Sequence, residues 1–266
     1  MGRIRKLPLW DDRWDKPALL AKRRMMTAQA FDRGFRQRPF SDEDRTFSPQ
    51  QVADATKGYL SLDEVMRWPG ACYTGIDLSS TKRPGVAFFT TKFFRKEGRY
   101  LRIPVDIRVG VYKGNSLIDQ FAEIEERFKP QIYLVENNSL QERIIDMLKI
   151  MSVTSNLPIA GYHTGKQKFD EDMGLPSLSV EFQNDLWVIP WLGKGRKGGP
   201  PDSHSILCQC AWCRWYYDEL ILHPMSESTD ILMAQWFSRE AWRLYGQQVE
   251  VFEFIEPPRV RGSFNL

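Results

Sequence analysis

Nothing in this 266-residue sequence stays apolar for long enough to cross a bilayer. No GxxxxGK[ST] string is present either, for the nearest match, "GYHTGKQK", has the wrong glycine spacing and no hydroxyl after Lys166. The first absence excludes a spanning helix, and the second a phosphate-loop ATPase within these residues. An excess of one charge is also lacking: 37 basic against 34 acidic residues give a formal charge of +3, so any binding of a polyanion must come from local clusters. The opening "MGRIRKLPLW" has basic residues with no apolar core behind them. No signal peptide is expected, and the expected location is the cytoplasm. No internal repeat is evident.

Cysteine is scarce, at four residues, yet three crowd into "HSILCQCAWC" as Cys208, Cys210 and Cys213, with His204 just before them. Paired CxxC knuckles are absent. Because the segment runs on as "AWCRWYYDEL" with helical spacing, these cysteines are expected to point around a helix and serve as small packing residues, with a zinc site as the alternative.

What is present is enough apolar material for a large core: 42% hydrophobic and 13% aromatic residues. Residues 1–70 read as an N-terminal arm, where Trp alternates with charges and "FDRGFRQRPFSDEDRTFSP" is polar and loop-rich. Short helices are expected over Pro17 to Met26 and Leu62 to Met66, the second capped by Ser61. Residues 71–266 read as one α/β domain. Three strands with short connections, "CYTGIDL", "GVAFFTTKFF" and "RYLRIPVDIRVGVY", predict an antiparallel meander. A helix follows with Leu117, Ile118, Phe121, Ile124 and Phe128 on one stripe and Asn115 or Ser116 as its cap. Then come the strand "QIYLVENN", the helix "SLQERIIDMLKIM", the strand "LPIAGY", and helices over about residues 203–220 and 229–244. The last has Ser228 or Thr229 as cap and Asp230 in its first turn.

Three carboxylates stand where elements end or begin: Asp77 closes the first strand, Glu136 the fourth, and Asp230 opens the final helix. If the first and fourth strands are neighbours, Asp77 and Glu136 lie side by side and the closing helix delivers Asp230 over them. Clustered carboxylates oppose one another's ionisation unless a cation joins them. An all-oxygen set suits Mg2+ or Mn2+, and two such ions about 4 Å apart drive in-line phosphodiester cleavage. The bland alternatives are a helix-start charge for Asp230 and a solvent contact for Glu136. Asp106 is expected to be a solvent-face charge beside Arg102 and Arg108, Asp119 and Glu123 a polar helix face, and Asp170, Glu171 and Asp172 a loop with one auxiliary ligand at most.

At "GIDLSSTKRPGVAF", "YLVENNSLQERIID", "GYHTGKQK" and "HPMSESTDILMAQWF" the sequence resembles the nuclease domain of the large terminase subunit of tailed bacteriophages, over nearly the whole chain. The resemblance implies a ribonuclease H-like mixed sheet in β-β-β-α-β-α-β-α order, flanked by helices. It also implies cleavage of concatemeric double-stranded viral DNA during packaging in the bacterial host cytoplasm. It assigns Asp77, Glu136 and Asp230 as catalytic metal ligands, and it identifies residues 1–70 with the segment that follows the packaging ATPase. The implied partners are DNA, a packaging ATPase domain or chain, the small terminase subunit and the portal. Where many relatives carry two adjacent aspartates, this chain reads "STD", which leaves the number of ions open.

Lys194, Arg196 and Lys197 in the glycine-rich "GKGRKGG", followed by Lys166 and Lys168 in "HTGKQK", are the expected DNA-phosphate contacts. His163 is either a phosphate or water contact or an ordinary loop histidine, and His223 is expected to end a helix. No helix offers a base-reading face, so weak sequence preference is expected. Two other readings stay open: a different ribonuclease H-like nuclease such as a junction resolvase, and a noncatalytic scaffold binding DNA or procapsid.

Overall fold

The computed structural model describes residues 15–25, 35, 45–56, 62–78, 85–112, 114–136, 156–165, 168, 170, 173–190 and 208–246. By compactness the chain divides into two units, residues 1–46 and 47–266. In the first, helix α1 (Lys16–Met25) starts where Asp15 accepts a hydrogen bond from the Ala18 amide at 2.8 Å, with Pro17 in the first turn. Residues 47–70, expected in the arm, lend Phe47, Val52, Ala55 and Val65 to the core of the second unit. Two short helices, α2 (Pro49–Asp54) and α3 (Leu62–Arg67), carry Val52 and Val65.

The second unit is built on a five-stranded mixed sheet in the order β3-β2-β1-β4-β5. Strands β1 (Ala71–Leu78), β2 (Val86–Lys96) and β3 (Arg99–Gly110) form the expected antiparallel meander. Glu97 and Gly98, both at positive φ, make the β2–β3 turn, as a two-residue hairpin loop matched to strand twist requires. Strands β4 (Tyr133–Glu136) and β5 (Ile159–Tyr162) add in parallel beyond β1. β1 is buried along nearly its whole length, because helices cover both faces of the sheet.

Alternation along the strands sorts the core into two layers. On one face Cys72, Ile76 and Val135 meet α4 (Asn115–Phe128), whose stripe of Leu117, Ile118, Phe121, Ile124 and Phe128 is buried throughout. Gly114, at positive φ, occupies the cap position expected of Asn115 or Ser116, and it makes no side-chain cap bond. On the other face Tyr73, Phe89 and Leu134 meet α7 (Asp230–Tyr245). Gly75 lies on that second face because the helix backbone comes so close. A Cβ there would stand 2.0 Å from the Ala234 carbonyl oxygen and 2.2 Å from the Ser238 amide nitrogen. Ser238 Oγ bonds the Tyr73 carbonyl at 2.9 Å and Thr91 Oγ1 at 2.8 Å, which ties α7 to both β1 and β2.

Regular alternation fails once in β3. A register shift opposite Thr90 and Thr91 accommodates Pro104, so Leu101, Ile103 and Val105 face α4 while Ile107 and Val109 face the α7 layer. That bulge corrects the expectation for Arg102. Instead of sharing a solvent face with Asp106, Arg102 is buried on the α7 side, paired with Glu181 at 2.9 Å. Asp106 turns the other way and pairs with Arg108 at 2.6 Å, which also bonds Glu123 of α4. Glu181 belongs to α5 (Ser177–Gln183), an unexpected helix, and also approaches Arg239 of α7 at 3.5 Å.

The penultimate helix departs from expectation as well. Residues 208–210 are outside any helix, a single α-helical turn, α6, spans Ala211–Cys213, and a π-helix continues over Arg214–Leu220. The helix expected over "SLQERIIDMLKIM" lies outside the described residues. No described helix is long and apolar enough to cross a membrane.

Candidate metal centre

The parallel register of β1 and β4 pairs Thr74 with Tyr133, Gly75 with Leu134 and Ile76 with Val135, so the next step along both strands sets Asp77 beside Glu136. Asp77 shares the parity of Tyr73 and Gly75, and Glu136 that of Leu134, so both side chains belong to the face that α7 covers. α7 begins with Asp230. The three acids, far apart in sequence, are thus brought to one end of the sheet by two strand ends and one helix start. Asp77 and Glu136 are buried, and Asp230 is half-buried.

The electrostatics follow from that meeting. The Asp77 carboxyl is held well above the ordinary carboxylate range, first by burial, then by the charges of Glu136 and Asp230 and by a hydrogen bond shared with Glu136. Lys168 is close enough to pull in the opposite direction. Glu136 Oε1 accepts a hydrogen bond from the buried Thr164 hydroxyl at 2.6 Å. Thr164 follows β5 by two residues, so the edge strand orients a carboxylate on its neighbour.

The donor set is all carboxylate, partly desolvated and mutually repelling, which fits a hard divalent cation. The three acids do not form a tight single-ion cage: they are not among the described groups whose donor atoms all lie within 4.8 Å of one another. A looser set is what ions sharing water and substrate oxygens require.

Glu219, in the π-helix, is a residue the sequence reading missed. Thr229 occupies the cap position of α7 but makes no side-chain cap bond. Glu219 Oε2 takes over from another element, accepting the Leu232 amide at 2.8 Å. Ser228 Oγ accepts the Asp230 amide at 3.2 Å. The Glu219 carboxyl is raised to about 7, chiefly by burial and with a contribution from the Asp230 charge, against hydrogen bonds that favour its ionised form. It therefore fixes the turn from which Asp230 projects. Its only signal in sequence is the acid pair Asp218 and Glu219 at the end of the aromatic run "WYYDEL".

Of the expected DNA contacts, Lys168 is the one described, near Asp77. Lys166, Lys194, Arg196 and Lys197 lie outside the described residues, as do His204, Glu171 and Asp172. Asp170 is exposed and accepts the Met173 amide at 2.9 Å, a turn role. His163 is exposed, and His223 lies in the turns after the π-helix.

The cysteine expectation is corrected. Cys208, Cys210 and Cys213 do not fan out around a helix, because the first two precede α6 and Cys210 occupies its cap position in extended backbone, with φ −68° and ψ 157°. The side chain of a cap residue lies over the third residue of its helix, which here is Cys213. The three sulfurs lie within 4.8 Å of one another.

No family model matches the sequence, and no curated protein matches it. Solved structures with a similar arrangement include the nuclease domain of the large terminase (g2p) of bacteriophage SPP1 with bound Mn, at 16% identity and a TM-score of 0.37, covering 69% of this chain and 93% of that one. Thermus thermophilus RuvC is similar at 11% identity and a TM-score of 0.36, over 66% of this chain and 96% of that one. The nuclease domain of the large terminase subunit gp2 of bacterial virus Sf6 is similar at 12% identity and a TM-score of 0.38, covering 56% and 76%.

Proposed function

We propose that this chain is a metal-dependent endonuclease that cleaves double-stranded DNA, a terminase nuclease acting on concatemeric viral DNA during packaging. The observation that carries the reading is the meeting of Asp77, Glu136 and Asp230 from β1, β4 and α7, with burial and like charge holding Asp77 above its ordinary range. Such a buried, like-charged site is costly without a cation. Asp77, Glu136 and Asp230 would hold Mg2+ or Mn2+, as a pair of ions, and the bound metal would supply activation of the attacking water and neutralisation of the leaving oxygen.

The chain's own residues do the rest. Asp77 and Glu136, on rigid parallel strands, provide fixed oxygen donors, and the Thr164 hydroxyl turns Glu136 into place. Asp230 closes the set from α7, steadied by Glu219. Lys168 supplies positive charge where a phosphodiester enters, and Lys166, Lys194, Arg196 and Lys197 extend that charge along the duplex. Residues 1–46, the first unit, are the docking segment for a packaging ATPase, while residues 47–70 complete the nuclease core, and the small terminase subunit and portal complete the assembly in the host cytoplasm.

The test is incubation of the pure protein with supercoiled plasmid in Mn2+ or Mg2+, beside chelator and Asp77→Asn controls. Nicking and linearisation that need metal and vanish in Asp77→Asn are expected, because that substitution removes a charge and almost no volume. Cleavage retained by Asp77→Asn would sink the assignment. A strong preference for a branched junction over linear duplex would instead identify a resolvase. Metal binding without any product, even with the ATPase partner present, would identify a scaffold.

A further inference from the structure

Cys208, Cys210 and Cys213 form a second centre, outside the acid cluster and chemically unlike it. None of the chain's four cysteines is in a disulfide. Cys72 shows what a packing cysteine looks like here: it sits alone in β1, buried among Ile76, Phe94 and Tyr133. The other three depart from that pattern. Cys208 and Cys210 are only half-buried, so filling core space does not account for them, and their sulfurs converge on that of buried Cys213.

We propose that these three cysteines bind a zinc ion through their thiolates, a soft site separate from the hard-oxygen centre at Asp77. The geometry needs little adjustment. With Zn–S bonds of about 2.3 Å, a tetrahedral ion holds its sulfurs about 3.8 Å apart. The observed sulfurs are within 4.8 Å of one another, so closure asks for at most about 1 Å of movement, which side-chain rotation at the two half-buried positions supplies. The spacing Cys-x-Cys-x-x-Cys places one donor ahead of the helix, one at its extended cap and one in the first helical turn, so a single short segment presents three sulfurs to one point.

The Cys213 thiol already shares hydrogen bonds with Cys210 and Cys208, so the three sulfurs face one another. Zinc binding exchanges three thiol protons, released to solvent, for three Zn–S bonds, and no oxidant or reductant is involved. The fourth position of the tetrahedron falls to a donor other than these three cysteines.

The ion's role is structural and specific. It clips the chain just ahead of the π-helix, whose Trp215 donates to Gln235 of α7 at 2.8 Å and whose Glu219 caps α7. The clip therefore braces the helix that carries Asp230, without touching the acids.

The experiment uses the whole chain, purified without chelator, with zinc counted by elemental analysis and Co2+ substituted as a spectroscopic probe. About one zinc per chain is expected, with near-ultraviolet thiolate-to-cobalt absorption and the visible bands of tetrahedral cobalt. Both should disappear in Cys208→Ser/Cys210→Ser, which leaves buried Cys213 alone, and both should persist in Asp77→Asn, which separates this ion from any at the acid centre. Full reactivity of all three thiols toward a thiol reagent in the folded wild type, together with a Co2+ spectrum lacking the thiolate band, would overturn the proposal. So would a mass lower by two hydrogens that reduction restores, the mark of a disulfide. Zinc retained in full by the double serine variant would overturn it as well.

Discussion

Replacing Gly75 by alanine sets two physical effects against each other, and the structure decides the sign. On backbone propensity alone, alanine in a strand stabilises by about 0.5–1 kcal/mol relative to glycine. Against this, the new Cβ would lie 2.0 Å from the Ala234 carbonyl oxygen, 2.2 Å from the Ser238 amide nitrogen and 2.7 Å from the Phe237 carbonyl carbon, all of them backbone atoms. β1 cannot yield, because it is paired on one side with β2 and on the other with β4. The helix must retreat by about 1 Å for the oxygen contact merely to reach 3.0 Å. Overpacking of this kind costs about 1–3 kcal/mol. The retreat also stretches the two bonds of Ser238 Oγ to Tyr73 and Thr91, each contributing about 1 kcal/mol. A net destabilisation of roughly 2–4.5 kcal/mol is expected, a large part of the about 5–15 kcal/mol that holds a domain together. In urea, with a slope of about 2 kcal/mol/M, the midpoint should fall by about 1–2 M. Nuclease activity should fall about a hundredfold even where the fold persists, because α7 carries Asp230 away from Asp77 and Glu136. A midpoint equal to or above wild type would refute the close approach and, with it, the placement of α7 on β1.

The remaining predictions concern charge and capping. Because the folded-state pKa of Asp77 is raised, its contribution is favourable below the unfolded carboxylate range and is lost as pH rises. Asp77→Asn should therefore melt higher than wild type in chelator at neutral pH, while losing the rise in melting temperature that Mn2+ gives the wild type. Glu219→Ala removes the acceptor for the Leu232 amide and should cost about 1–2 kcal/mol in urea unfolding, whereas Glu219→Gln keeps an acceptor and should cost markedly less. His223 is pushed down to about 4 by burial, below the 6.5 of a free imidazole, so the unfolded chain binds the extra proton between those values. Stability should fall as pH drops from 6.5 through 4, by about 1–2 kcal/mol once partial exposure is discounted, and His223→Gln should flatten that limb of the unfolding curve.

The architecture was legible wherever a periodic pattern was strong enough to survive tertiary packing. The α4 stripe, the antiparallel meander, the fourth and fifth strands and the start of α7 at Asp230 all stand where the apolar periods put them, because each element buries a continuous face. The neighbourhood of Asp77 and Glu136 could be anticipated for a simpler reason: two parallel strands that run almost wholly buried leave their carboxylates one place to go, the strand ends.

What escaped the sequence is irregular backbone, and each miss has its consequence in side-chain direction. Pro104 forces a bulge that inverts the phase of β3, so Arg102, read as solvent-facing, becomes the buried partner of Glu181. The late start at Ala211 leaves Cys208 and Cys210 outside the helix, so sulfurs that helical spacing would spread apart are gathered. The π-helix that follows carries Glu219 to the amides of α7, a cap supplied from another element that no local capping rule contains. These last two irregularities occupy one stretch of chain, residues 208–220, and that stretch braces the helix start bearing Asp230. Regular elements thus deliver two of the three carboxylates, while the position of the third depends on the segment whose geometry the sequence least determines. Substitutions in that segment should accordingly weaken activity through the placement of Asp230 while leaving Asp77 and Glu136 where the sheet holds them.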